Sequence, residues 1–285
     1  MHSVSIVGCG YAGLRLARRL LGLGRTVRGF GTRADSLGQI AATGAEPYLL
    51  NLDSAPTPLD LSGQLVYYCV PPAPSGDRDG RLERLLENTV GRPRRIVYLS
   101  TTGVYGDCNG AAVDEETPPA PKSERAVRRV AAENALRDWA GDRAVSWCIL
   151  RVPGIYGPGR LPLHRLRRRD PAIHPSEAMP SNRIQVEDLV SICVAAGGAK
   201  LADGRIYNAT DGSDDSPTAY LQRVARICDL PLPPLISRAD AERTFSAASW
   251  SFLGESRRVD NRRMLDELGV ALAFRDLDAG IRASL

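Results

Sequence analysis

Ser3-Val4-Ser5-Ile6-Val7-Gly8-Cys9-Gly10-Tyr11-Ala12-Gly13-Leu14 is an apolar run that turns through three glycines into a helical pattern. Ser3–Val7 suits a strand buried on both faces. Leu14, Ala17, Leu20 and Leu21 then recur at helical spacing, and a second β-rich run begins at Thr26. A G-x-G-x-x-G spacing alone says little, but a strand before it and a helix after it supply its mechanism. Gly8 permits the tight turn, Gly10 lets backbone approach a pyrophosphate, and Gly13 lets the helix pack closely on the sheet. The helix start, with Tyr11 and Ala12 in its first turn, offers free N–H groups and a positive dipole end to that anion. The reading is a dinucleotide site; its competitor is a glycine-rich turn that binds nothing.

The end of the second strand chooses the dinucleotide. An NAD site usually places a carboxylate there for the ribose 2′-hydroxyl. Here the residues are Arg28-Gly29-Phe30-Gly31-Thr32-Arg33, with no acid. Arg33, beside Thr32, can grip a 2′-phosphate through two parallel hydrogen bonds. NADP(H) is therefore expected, with NAD the second choice and a solvated loop arginine the bland alternative.

Outward from this unit, β-rich and helical runs alternate. Strands are expected at Val4–Gly8, Thr26–Gly31, Glu46–Leu50, Gln64–Val70, Arg95–Ser100 and Val145–Val152. Helices are expected at Tyr11–Leu23, Asp35–Thr43, Gly80–Val90 and Ser123–Ala140. The pattern predicts an α/β protein with a doubly wound parallel Rossmann sheet. Residues 1–152 read as the NAD(P)-binding domain. Residues 153–285 read as a smaller C-terminal α/β substrate lobe packed against it, with interleaved segments allowed. An irregular stretch runs to Asn182, followed by helices at Val186–Ala196, Thr218–Cys228, Ala239–Ser246 and Asn261–Leu268 and a short strand at Ile206–Asn208.

Composition excludes several classes. Of 285 residues, 43% are hydrophobic and 25% charged, an ordinary globular balance. The net charge of +4 argues against a nucleic-acid partner. Arg165-Leu166-Arg167-Arg168-Arg169 reads as a solvated helix face. No apolar run reaches the roughly 18 residues of a membrane span, and no signal peptide is evident at the N-terminus, so a cytoplasmic location is expected. The six cysteines include no CxxC pair, which leaves no metal site in view.

Further motifs carry a family resemblance. Val97-Tyr98-Leu99-Ser100-Thr101-Thr102-Gly103-Val104-Tyr105-Gly106, Asp114-Glu115-Glu116-Thr117-Pro118, Leu150-Arg151-Val152-Pro153-Gly154-Ile155-Tyr156-Gly157 and Arg183-Ile184-Gln185-Val186-Glu187-Asp188 occur in order. Together they resemble the extended and atypical short-chain dehydrogenase/reductases, the NAD(P)-dependent epimerase/dehydratase family. The resemblance implies that Thr101 is the catalytic Ser/Thr, polarising the reacting group of a small carbonyl, imine or sugar-like substrate. It implies cofactor contacts at Asn51 and Leu52 for adenine, at Val70, Pro71 and Pro72 for the ribose, and at Pro153. It places Thr102, Tyr156 and Arg183 toward the substrate and implies a homodimer.

One departure matters most. Aligned on Ala132-Glu133, the family's Tyr and Lys positions hold Arg125 and Arg129. The only lysines are Lys122 and Lys200, and no Tyr-x-x-x-Lys occurs in the sequence. Arginine stays protonated in proteins and cannot serve as a general acid near neutral pH. Arg129 can still bond a ribose, and Arg125 can bind an anion or steady an oxyanion. Proton transfer then needs another residue, and Tyr105 and Glu116 are the leading candidates. An oxidoreductase or epimerase is the first functional reading. A non-catalytic NADP-responsive binding protein that kept the fold is the second.

Overall fold

Along Arg95–Thr101 the side chains alternate between two apolar clusters: Ile96 and Tyr98 enter one, Val97 the other. The neighbouring strands repeat the alternation, with Tyr67 and Cys148 on one side and Tyr68 and Ile149 on the other. A strand with both faces buried must lie in a sheet covered twice, which the period of two enforces. The computed structural model, which describes residues 3–54 and 57–285, has this arrangement. Its strands are β1 (Ser3–Val7), β2 (Thr26–Gly31), β3 (Glu46–Leu49), β4 (Leu65–Tyr68), β5 (Arg95–Thr101), β6 (Ser146–Val152) and β7 (Arg205–Asn208). They form one parallel sheet in the order β3-β2-β1-β4-β5-β6-β7.

The helices are α1 (Tyr11–Gly22), α2 (Ala34–Ala41), α3 (Gly80–Glu87), α4 (Glu124–Asp142), α5 (Leu163–Arg167), α6 (Val186–Gly198), α7 (Pro217–Ile227), α8 (Arg238–Thr244), α9 (Ala247–Leu253), α10 (Arg262–Leu268) and α11 (Leu277–Arg282). Leu16, Ala17 and Leu20 of α1, Leu189 and Ile192 of α6 and Met264 of α10 bury against one face. Leu82, Leu85 and Leu86 of α3 with Ala132, Leu136 and Ala140 of α4 bury against the other. The buried face of α1 turns on Leu16 where the sequence reading used Leu14, which is only partly buried. Ser123 caps α4 and Ser216 caps α7, each accepting from the amide three residues on. No helix among the described residues is long and apolar enough to cross a membrane.

The sheet runs past residue 152. β7 comes from the second half of the chain and pairs with β6 from Arg205↔Cys148 to Asn208↔Arg151. Helix α6 likewise returns to pack on α1. The remaining second-half segments gather around Tyr156, Leu166, Leu221, Val224, Leu277 and Ile281. Two-residue and three-residue parallel pairs, Gly154–Tyr156 with Arg183–Gln185 and Ala172–Ile173 with Leu235–Ile236, stitch that lobe together. The stretch expected to be irregular up to Asn182 thus contains α5 and two short strands. Elements of two to five residues carry too little periodicity to be read from sequence.

Candidate functional site

Strand order reverses between β1 and β4, so the carboxyl ends of the strands open into a crevice there. Gly8 forms its floor with φ of +84°, and a Cβ there would lie 2.8 Å from both Val70 Cγ2 and Val70 N. Left-handed backbone and this close crossing both require glycine. Helix α1 makes its first internal bond from Leu14 N to Gly10 O at 2.7 Å. The amides of Tyr11, Ala12 and Gly13 precede it and face the crevice without intrahelical acceptors. At Gly10 no protein atom lies within 4 Å of a would-be Cβ. A cradle of free amides beside open space fits a pyrophosphate.

This crevice widens into a cleft of about 680 Å³. Thr32, Arg33, Ser36 and Gln39 line one end of it, next to Leu50 and Leu52. Val70 and Pro71 line its middle, and Thr101, Arg125, Arg129 and Pro153 its far end. A second compartment of about 460 Å³ adjoins it, entered past Thr101, Arg125 and Pro153, which line both. Thr102, Tyr156 and Arg183 line this second compartment.

Thr101 ends β5. Its Oγ1 accepts the amide of Gly103 at 3.1 Å, which starts the turn over Thr102–Tyr105. With that lone pair used, the hydroxyl proton remains for an acceptor in the cleft. Behind Thr101 lies a buried ion pair: Arg151 donates to Glu133 at 2.8 and 3.2 Å, and Ser100 Oγ donates to the same carboxylate. This pair ties α4 to the ends of β5 and β6, fixing the strand end that carries Thr101.

Arg129 lines the cleft while donating to Tyr98 Oη at 2.8 Å and to Val70 O at 3.3 Å. Arg125 stacks on Phe252 of α9, guanidinium carbon to ring centroid 3.8 Å. Burial lowers the Arg125 pKa; the charge of Glu255 opposes this, and those of Arg129, Arg128 and Arg257 add to the lowering. Tyr11 sits between Arg15 and Arg160, at 4.2 and 3.9 Å from its ring, and donates to Pro158 O at 3.1 Å. It bridges the start of α1 to the loop after β6.

Four expected site residues lie elsewhere. Tyr105 is 1% exposed; it donates to Asn208 Oδ1 at 2.8 Å beneath Arg151 and lines neither compartment. Burial first of all raises its pKa, leaving an inert phenol. Glu116 has a side chain 76% exposed and pairs with Arg263 on the outer surface. Asn51 lines neither compartment; its Oδ1 accepts the amide of Asp53 at 2.9 Å in a local turn. Pro72 stands back from the cleft, its carbonyl accepting from Arg81 at 3.4 Å. Tyr156 contributes its ring but not a free hydroxyl route. Its Oη would lie 2.2 Å from a Cβ at Gly280, so it points into the packing of α11.

Sequence reasoning missed Arg160, Phe252, Glu255 and Arg257. All four line the second compartment, and Arg160 and Phe252 also reach the cleft. Glu255 and Arg257 form an ion pair at 2.7 Å, with Arg257 also donating to Thr102 O at 2.7 Å. Burial raises the Glu255 pKa. These residues sit in loops and a seven-residue helix with no motif to mark them. The basic run is also only partly solvated: Arg165 turns inward to the second compartment, 3.9 Å from Asp170.

The seven-stranded parallel sheet with a glycine turn at its reversal defines a Rossmann-type α/β fold. Residues 82–209 match the model of the NAD dependent epimerase/dehydratase family. A conserved protein of unknown function from Silicibacter pomeroyi DSS is 32% identical, covers 99% of this chain and 98% of its own, and superposes with a TM-score of 0.83. Protein YeeZ of Escherichia coli (strain K12) is 27% identical over 97% of both chains. UDP-glucuronic acid 4-epimerase from Bacillus cereus, solved with UDP-glucuronic acid and NAD, shares the fold at 19% identity. Its TM-score is 0.76, over 99% of this chain and 97% of that one.

Proposed function

We propose that this protein is an NADP(H)-dependent oxidoreductase or epimerase acting on a small carbonyl, imine or sugar-like substrate. The observation that carries the reading is the position of Thr101, at the strand end shared by the two compartments, with its hydroxyl proton free. The dinucleotide, when bound, supplies or accepts a hydride. The amides of Tyr11, Ala12 and Gly13 hold its pyrophosphate, with Gly8 and Gly10 clearing the way. Thr32 and Arg33 take the 2′-phosphate, Leu52 the adenine, and Val70 and Pro71 the ribose wall. Arg129 and Pro153, which line the far end of the cleft, would hold the nicotinamide ribose.

Thr101 donates to the reacting oxygen or nitrogen and so favours charge that develops there. Arg125 cannot exchange a proton. Asp53 and Glu255 are the carboxylates that line the two compartments, and only Glu255 reaches the one beyond Thr101. Its raised pKa suits it to hold a proton nearer neutral pH than an ordinary carboxyl. Arg257, paired with Glu255 at 2.7 Å, opposes that rise, so Glu255 and water in the second compartment are the two candidate proton sources.

Purified protein should oxidise NADPH with some member of a carbonyl and imine panel. Thr101→Ala should lower kcat/KM by about 100-fold, the scale of one lost donor to a developing charge. A second reading, an NADP-responsive binding protein without chemistry, draws on one observation: guanidinium groups fill both positions at which the family has its Tyr and Lys. Tight NADPH binding with no turnover on any panel member would select it.

A further inference from the structure

The second compartment is lined by five arginines, Arg125, Arg160, Arg165, Arg183 and Arg257, and one carboxylate, Glu255. Arg257 is paired with Glu255 and Arg165 lies within 4 Å of Asp170. That leaves Arg125, Arg160 and Arg183 with no carboxylate within 4 Å among the described residues. Arg183 is 6% exposed; the partners of its guanidinium are the carbonyl of Asp215, the hydroxyl of Ser181 and the ring of Tyr220. Asp211 and Asp215 act on it, and Glu255 acts on Arg125, only from beyond pairing distance.

Arg183 is buried, Arg125 half-buried and Arg160 exposed, so the cost of taking a cation out of water falls on the first two, while walls of one sign focus potential into the space between them. Arg125 and Arg160 of this set also line the cleft, and Arg125 does so at the end it shares with Thr101. The Arg125 guanidinium carbon lies 3.8 Å from the Phe252 ring centroid, a contact that uses the face of the group; its N–H donors suit a planar or tetrahedral oxyanion.

We infer that the substrate is an anion whose carboxylate or phosphate group is held by Arg125 next to the carbon handled at Thr101, with Arg160 and Arg183 adding to the attraction. The inference rests on the reading that the adjoining cleft holds the dinucleotide. An arginine at this point fixes the substrate by its charge, where a tyrosine would have exchanged a proton with it.

The test is calorimetric titration of protein saturated with NADP⁺, using succinate and inorganic phosphate as probes and glycerol as the neutral control. At least one anion should bind in the millimolar range or tighter, and glycerol should not. Arg125→Gln should weaken that anion by about tenfold or more, the range for a charge-assisted bond. Arg125→Lys should recover part of the loss, and Arg167→Gln, on the exposed face of α5, should leave binding as it was. Unchanged melting temperatures of the variants report that they fold. Whichever probe binds more tightly identifies carboxylate or phosphate as the recognised group. Uptake of NADP⁺ with no binding of either anion, or anion binding indifferent to Arg125→Gln, overturns the inference and leaves the cofactor reading standing. Anion binding without NADP⁺ uptake overturns the cofactor reading and, with it, the placement of the anion beside a reacting carbon.

Discussion

The cleft under α1 and the compartment beyond Thr101 are made of different materials. The first is largely backbone: amides of Tyr11, Ala12 and Gly13, a left-handed Gly8, and strand ends that follow one another within a short span. The second is made of side chains delivered by segments as distant as Arg125, Arg160, Arg183 and Arg257. Backbone recognition needs only glycines at fixed spacing and tolerates change elsewhere. Side-chain recognition depends on every loop arriving, and can be retuned one residue at a time. The seam between the two is the Ser100–Glu133–Arg151 group behind Thr101.

The comparison can be broken first at that seam. Glu133→Gln strips a buried Arg151 of its counter-charge, so unfolding free energy should fall by about 3–5 kcal/mol in urea titrations. A smaller loss would mean that the pair does not lock the strand ends.

Next comes the backbone side. Gly8→Ala adds a Cβ against Val70 at a positive φ and should cost about 2–4 kcal/mol of stability together with NADPH binding. Gly10→Ala meets no protein atom, so its melting temperature should hold while NADPH affinity drops. If both variants lost stability alike, the open space at Gly10 would not be a ligand's.

On the side-chain side, Asp211 is buried behind Arg183, and burial, opposed by its bonds from Ser213, pushes its pKa up to about 6. The folded state then holds a proton that the unfolded chain releases near 3.8. Stability from this group is full below about pH 4 and is lost as pH rises through about 6, a swing of order 3 kcal/mol. Asp211→Asn should remove that decline, visible as a flatter melting-temperature profile between those pH values.

The smallest effect concerns cofactor choice. Arg33→Ala should weaken NADPH about tenfold and leave NADH unchanged, the loss of one charge-assisted contact. Equal weakening of both would remove Arg33 from the 2′-phosphate.

What was legible in the sequence follows the same division. The strand Thr26–Gly31, the strand expected at Arg95–Ser100 and found to run to Thr101, and the glycine turn were readable because periodicity and Gly spacing are local signals. Thr101, Arg129 and Arg33 were located by motif or position along such elements, and each lines the cleft. Tyr105 and Glu116 failed because nearness in a loop says nothing about direction: one side chain turns into the core and the other out to solvent. Arg160, Phe252 and Arg257 were invisible because only tertiary packing brings them to Thr101. The short helices α5, α9 and α11 escaped for want of length.

The seventh strand carries a consequence for how the molecule comes to be. Until Arg205–Asn208 has been synthesised, Ser146–Val152 has a bare outer rim of amides and carbonyls, a template for any other extended chain. A polypeptide ending at residue 152 should therefore clump when expressed, and adding the stretch through Asn208 should lessen it. That vulnerable condition lasts while residues 153–208 are being added.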